Sequence, residues 1–285
     1  MKKARKKDKM MKQSPVLVNP LFPELLQHLL ETLRGLSPAD WLKPTACAGW
    51  RVREVALHLL GDDVGMLSSR RDGYSVQTQI DSWESLVDFI NLSNRNWIDG
   101  LQRISPRLIV DFLSLTGPQV CEVFDQLDPY AIGGPVNWAG PEPAPVWLDL
   151  AREYTERWHH QQHIREAVGL PLLTQPRYLG PVLATFMFAF PYTYRDVKAE
   201  PGSAISLTIG GPAGNRWFIQ REEDAWLLHQ GKPEVKPLAE ITLDQDTAWR
   251  LFSNGLDREI ARQRMIFEGD MTLAHKALEM VSILA

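Results

Sequence analysis

The 285 residues contain only two cysteines, Cys47 and Cys121, and these form no CxxC pair. Their scarcity and separation exclude a disulfide framework and a cysteine-based zinc ribbon, and they suit a reducing cytoplasm. Long apolar runs are missing as well: no stretch approaches the ~18 residues of a membrane span. The opening segment, MKKARKKDKMMKQSP, is basic but lacks the apolar core that a signal peptide needs after its charges. There is no HExxH, no Walker loop, no GxGxxG after a strand and no GxSxG elbow. Gly210-Gly211-Pro212-Ala213-Gly214 joins two expected strands and precedes no helix, so it reads as a turn rather than a phosphate cradle. Ser203 and Asp196 have no histidine arrangement that would make a nucleophilic triad. Basic charge is concentrated at the start, where seven Lys/Arg and one Asp through residue 12 give +6 and leave −10 for the body. An acidic body is a poor electrostatic footprint for nucleic acid. The tail reads as a disordered, solubilising arm.

What is present is the composition of an ordinary soluble globular protein, 44% hydrophobic and 23% charged, with length enough for two domains or one large one. Leu21 to Leu36 has leucines at helical spacing. Val52 to about Ser69 is apolar on two sides, as a buried bundle helix is. A third helix is expected from Ser82 to about Ile104, closed by Pro106, and a short one from Pro118 to Leu127. Pro129 to Pro145 is a Pro/Gly-rich loop too long for a simple connector. A fourth long helix runs from about Val146 to Gly169, which ends it. After Pro176 the texture changes. An aromatic helix, Tyr178 to Tyr194, precedes strands expected at Ala204–Ile209, Trp217–Arg221, Ala225–His229, Ala239–Leu243 and Arg264–Phe267. A helix from Asp246 to Ser253 and a closing one from Met271 to Leu284 complete the pattern. The expected fold is α+β. It has a basic tail over residues 1–15, an antiparallel four-helix bundle over 16–175 and a small α+β domain over 176–285.

The chemistry-bearing stretch is Arg152 to Gly169, REYTERWHHQQHIREAVG, with three of the seven histidines. Glu156 and His160 are four apart and share one side of the helix. His159 and His163 repeat the spacing about 100° around it, so the three histidines cannot all point one way. A carboxylate and an imidazole can hold a divalent ion but cannot complete its site. The best third donor is His58, in the middle of RVREVALHLLGDD. By spacing alone, His58 reads as a hydrogen-bonded core histidine before it reads as a ligand, and Glu156–His160 reads equally as a solvated pair. Cys47 reads as a packing residue.

Two segments carry a resemblance. Pro44-Thr45-x-Cys47-x-Gly49-Trp50-x-Val52-Arg53-x-Val55-x-x-His58-Leu59, and Glu156-x-x-x-His160 followed by Arg165 and Gly169, resemble the mycothiol-dependent maleylpyruvate isomerase family of the DinB-like bundle group. Glu268-Gly269-Asp270, opening a final helix, is similar to the family's sterol-carrier-like C-terminal domain. The resemblance covers residues 20 to 285. It implies that His58, Glu156 and His160 are metal ligands, for zinc first and nickel second. It also implies a low-molecular-weight thiol, such as mycothiol, as cosubstrate and a small organic molecule as substrate. His163 departs from the acidic residue the family often has there. The family's C-terminal arginine corresponds to one of Arg250, Arg258, Arg262 and Arg264. Two imidazoles and one carboxylate leave a coordination position open, the mark of a catalytic site. A thiol there gives an isomerase or S-transferase and a water a hydrolase. The second reading, ahead of the hydrolase, is a non-catalytic lipid- or small-molecule-binding protein with a structural or vacant metal site.

Overall fold

The computed structural model describes residues 14–74 and 82–282. The basic tail up to residue 13, and the last residues of the closing helix, lie outside them. The chain divides into two compact units. One comprises Val18–Asp128 and Glu156–Leu173, the other Met1–Leu17, Pro129–Thr155 and Thr174–Ala285.

The first unit is helical. Its elements are α1 (Phe22–Arg34), α2 (Val52–Met66), α3 (Trp83–Gly100), α4 (Pro106–Gln126) and the C-terminal part of α5 (Val146–Val168). Leucines of α1, both apolar sides of α2 and Ile109 and Leu113 of α4 close one core with Ile164 of α5. Each such side chain contributes about 1.5–3 kcal/mol by burial. α3 joins this core through its last turns: Ile98 is buried, and Trp97 Nε1 donates to the Leu57 carbonyl at 2.8 Å.

The helix α4 is longer than the sequence suggests. Pro118 marks no beginning; it lies inside a helix that starts at Pro106, behind the Ser105 cap. An internal proline costs about 3 kcal/mol. Leu113, Val120, Val123 and Phe124, all buried around it, together outweigh that cost. A buried ion pair fastens three helices: Arg157 of α5 meets Asp63 of α2 at 2.6 Å, and Thr116 of α4 donates to the other Asp63 oxygen, also at 2.6 Å.

The second unit contains the sheet. Its five strands are β3 (Ala204–Gly210), β4 (Arg216–Arg221), β5 (Trp226–Gln230), β6 (Ala239–Asp244) and β7 (Ile266–Gly269), in spatial order β5-β4-β3-β6-β7. β3 pairs parallel with β6, and all other pairings are antiparallel. The Pro/Gly-rich loop before α5 is a small hairpin, β1 (Ile132–Pro135) with β2 (Pro143–Pro145), and it buries Trp138. The aromatic helix divides into α6 (Pro176–Phe186) and α7 (Ala189–Thr193). Asp244 caps α8 (Gln245–Phe252) by accepting from the Asp246 and Thr247 amides. The spacing did not reveal α9 (Arg258–Arg264), whose single buried residue is Ala261. The closing α10 (Met271–His275) gives way to a 3-10 turn, Lys276–Glu279. The α+β class and the order of helices before sheet agree with the sequence. Among the described residues no helix is long and apolar enough to cross a membrane.

Candidate metal centre

His58 sits midway along α2 and is buried. The helix starts at a capping box in which the Arg51 amide donates to Glu54 at 3.0 Å, fixing which face His58 occupies. Glu156 and His160 stand one turn apart on α5. The three groups expected to act together do meet: their ligand atoms all lie within 4.8 Å of one another. Both imidazoles aim Nε2 at the same oxygen, Glu156 Oε1, His160 at 2.8 Å and His58 at 3.3 Å. Asp62 Oδ2 lies 3.3 Å from His58 Nε2, one turn along α2. The Trp50 ring covers His58 at a centroid distance of 5.1 Å and lies 6.4 Å from His160.

This arrangement fits a divalent ion. Two nitrogens and a carboxylate oxygen are the usual donors of a catalytic zinc site, and all three face one point. The electrostatics agree. Burial works against the Glu156 carboxylate, yet the facing imidazoles, His160 foremost, hold its pKa well below the ordinary value. Burial likewise disfavours the His160 imidazolium, but the Glu156 charge and the neighbouring Cys47 raise its pKa to about 10. A positive charge is thus favoured at the point where the three groups meet.

By sequence Cys47 reads as packing, but its sulfur touches the same histidine row. Its Sγ is 2.9 Å from His163 Nδ1 and 3.8 Å from His160 Nδ1. The loop that places it is tightly tied. Pro44 bridges Arg51, Thr45 Oγ1 donates to the Trp50 carbonyl at 2.9 Å, and the Trp50 amide donates to the Cys47 carbonyl at 3.0 Å. Gly49 takes φ +79°, a conformation that glycine adopts without strain. No periodicity encodes such a turn, and the only sequence signal was Cys47 preceding the His58 helix by a loop's length. His159, the remaining histidine of the row, packs against His163 with the rings tilted by 59° and their centroids 4.1 Å apart. Of the candidate arginines, Arg250 pairs with Asp246 and covers the Trp249 ring, and Arg262 pairs with Glu259.

The mycothiol maleylpyruvate isomerase N-terminal domain family matches residues 22–165, half of the chain. The chain belongs to this family. The matched stretch contains Cys47, His58, Glu156, His160 and His163. Membership places the chain in a family named for an enzyme. Among solved structures, a crystal structure of the mycothiol-dependent maleylpyruvate isomerase aligns over 84% of this chain and 88% of its own. It does so at 12% identity and a TM-score of 0.50. That likeness is one of fold, and at that coverage it extends past the family-matched stretch. The sterol carrier protein domain 2 of Helicoverpa armigera aligns over 33% of this chain and 84% of its own, at 19% identity and a TM-score of 0.26. No curated protein matches the chain.

Proposed function

We propose that this protein is a metal-dependent enzyme that uses a low-molecular-weight thiol to isomerise a small organic substrate. In this reading His58, Glu156 and His160 hold a divalent ion, zinc in the first instance. The observation that carries it is the convergence of two buried Nε2 atoms on one carboxylate oxygen. A solvated surface pair would not bury both rings, and a core histidine would not need a second imidazole and a carboxylate. Family membership supports the thiol and the isomerisation.

A divalent ion in this position supplies a thiolate at neutral pH from a thiol that would otherwise stay protonated. The protein's own groups prepare the place. Glu156 holds both rings on one point and supplies negative charge. Trp50 packs against His58 with the ring centroids 5.1 Å apart. His160 presents Nδ1 to the Cys47 sulfur, so its ring orientation is fixed from behind, the usual arrangement around a metal-binding imidazole. Addition of a thiolate to an activated double bond leaves a single bond free to rotate, and its elimination gives the other geometric isomer with the thiol regenerated. The two uncrosslinked cysteines suit a reducing cytoplasm as the place of action.

A second reading has its own observation. The sheet-containing unit holds a cleft of about 340 Å³ lined by Pro176, Gly180, Ala184 and Trp217 together with the polar Asn215 and Gln230, enough for a small ligand. On that reading the protein is a binder. The deciding experiment is metal analysis of the purified protein beside His58→Ala and His160→Ala, followed by a thiol-dependent cis–trans isomerisation assay. Near-stoichiometric metal in the wild type, lost in both variants, is expected. A wild-type protein that takes up neither zinc nor nickel would leave the binder standing.

A further inference from the structure

We infer that Cys47, His160 and His163 form a second metal position, for a thiophilic ion, sharing the His160 ring with the first. The inference stands whether or not the first position holds an ion. Cys47 Sγ and one nitrogen each of His160 and His163 lie within 4.8 Å of one another. The two measured edges, 2.9 Å and 3.8 Å from the sulfur, bracket the roughly 3.5 Å between donors of a tetrahedral zinc site with N and S ligands. Both histidines are buried, whereas Cys47 is partly exposed, so an ion would reach the set from the sulfur side. His160 and His163 are three residues apart on α5, which puts both rings on one side of the helix. The tied loop of Thr45 to Trp50 supplies the third donor from outside it.

The two positions differ in chemistry. The first offers two nitrogens and an oxygen, the second a sulfur and two nitrogens, and a thiolate selects softer ions. They use opposite nitrogens of His160: Nε2 faces Glu156 and Nδ1 faces Cys47. An imidazole bound through one nitrogen ordinarily keeps its proton on the other. Filling one position therefore weakens the other: with a thiophilic ion on Nδ1, the proton on Nε2 would donate to Glu156, leaving the first site without that nitrogen as a ligand.

Cobalt(II) titration under reducing conditions tests this, because thiolate ligation gives a near-ultraviolet charge-transfer band that nitrogen and oxygen ligands do not. The proteins compared are the wild type, Cys47→Ser, His163→Ala and Glu156→Gln, each checked for native circular dichroism. We expect the band in Glu156→Gln, where the first position is weakened, and none in Cys47→Ser. In His163→Ala the cobalt concentration at half-maximal band should rise roughly tenfold or more. A band in the wild type too means the second position competes on equal terms, and its absence there means the first is tighter. Both outcomes support the inference. No band in either the wild type or Glu156→Gln, with cobalt bound, would overturn it. Cobalt retained by Cys47→Ser without the band reports the first position separately. The failure of one site is thus distinguishable from the failure of the other.

Discussion

On the proposed ligand set, His160 makes the affinity of the first position for a divalent ion depend on pH. Its pKa is raised to about 10, so in the metal-free protein at neutral pH the ring carries its second proton. Glu156, held well below the ordinary carboxylate range, carries none. An ion that takes His160 Nε2 must displace one proton. From about pH 7 to about pH 9 the dissociation constant should fall tenfold per pH unit, about 1.4 kcal/mol each. Above the folded pKa the slope should vanish. Glu156→Gln removes the charge that chiefly sustains the imidazolium against burial, so the His160 pKa falls from its raised value. The variant should bind more weakly and with a shallower profile over the same window. The assay is competition against a chromophoric chelator at each pH. Calorimetry in two buffers of different ionisation enthalpy then counts the proton released, and Cys47→Ser is run in parallel so that a thiol proton is not counted. A wild-type dissociation constant equal at both ends of the window would refute the reasoning.

Other consequences are independent of metal. Asp63→Asn leaves the Arg157 guanidinium facing a neutral amide in place of its 2.6 Å partner, in a site where Asp63 is fully buried. It should cost about 3–5 kcal/mol in urea denaturation; a loss under about 1 kcal/mol would show the pair to be replaceable. Gly269 and Gly202 both have positive φ, +82° and +88°, but only at Gly269 would a Cβ run into a backbone oxygen, that of Leu238. Gly269→Ala should therefore lower the melting temperature clearly more than Gly202→Ala, which carries only the ~1 kcal/mol conformational penalty. The metal-free protein should also lose stability on both sides of neutrality. The raised His160 pKa contributes stability that is complete below about 6.5 and is lost as pH rises through about 10. The depressed Glu156 pKa contributes stability present above about 4.5 and lost as pH falls. Thermal denaturation across that range with no alkaline loss would count against the His160 assignment.

The parts of this molecule that could be read from sequence are those encoded within one element. Glu156 and His160 are on one helix, and a spacing of four fixes their proximity whatever surrounds them. The strands after Ala204 were found to within a residue or two because β-branched and aromatic runs are broken by glycine and proline turns. His58 is different. Its distance from Glu156 depends on how α2 packs against α5; its place in a strongly helical run makes it the best third donor, and the resemblance of its flanking residues to a known family adds to that. α4 is longer than its sequence suggests because Pro118 is a local signal, whereas the burial on either side of it is a tertiary one. α9 has too little apolar surface to show a period.

Cys47 shows why local reading stops where it does. The histidine row was correctly seen to face more than one way, since positions 159, 160 and 163 cannot share a direction on a helix. It does not follow that only one direction carries chemistry. An imidazole has two nitrogens on opposite edges, and His160 lies where the two directions meet. Nε2 turns to a carboxylate on its own helix and Nδ1 to a sulfur delivered by a loop more than a hundred residues earlier in the chain. A spacing rule records the helix position of a side chain, not which of its two edges a distant loop will meet. The tie between Thr45 and Trp50, with the positive φ at Gly49, decides that second contact. Loosening the tie by Thr45→Val, which removes the hydroxyl that donates to Trp50 and accepts from the Cys47 amide, should weaken cobalt binding through sulfur while leaving the pH-dependent binding at Glu156 intact. Loss of both together would mean that the loop positions the whole centre rather than its sulfur alone.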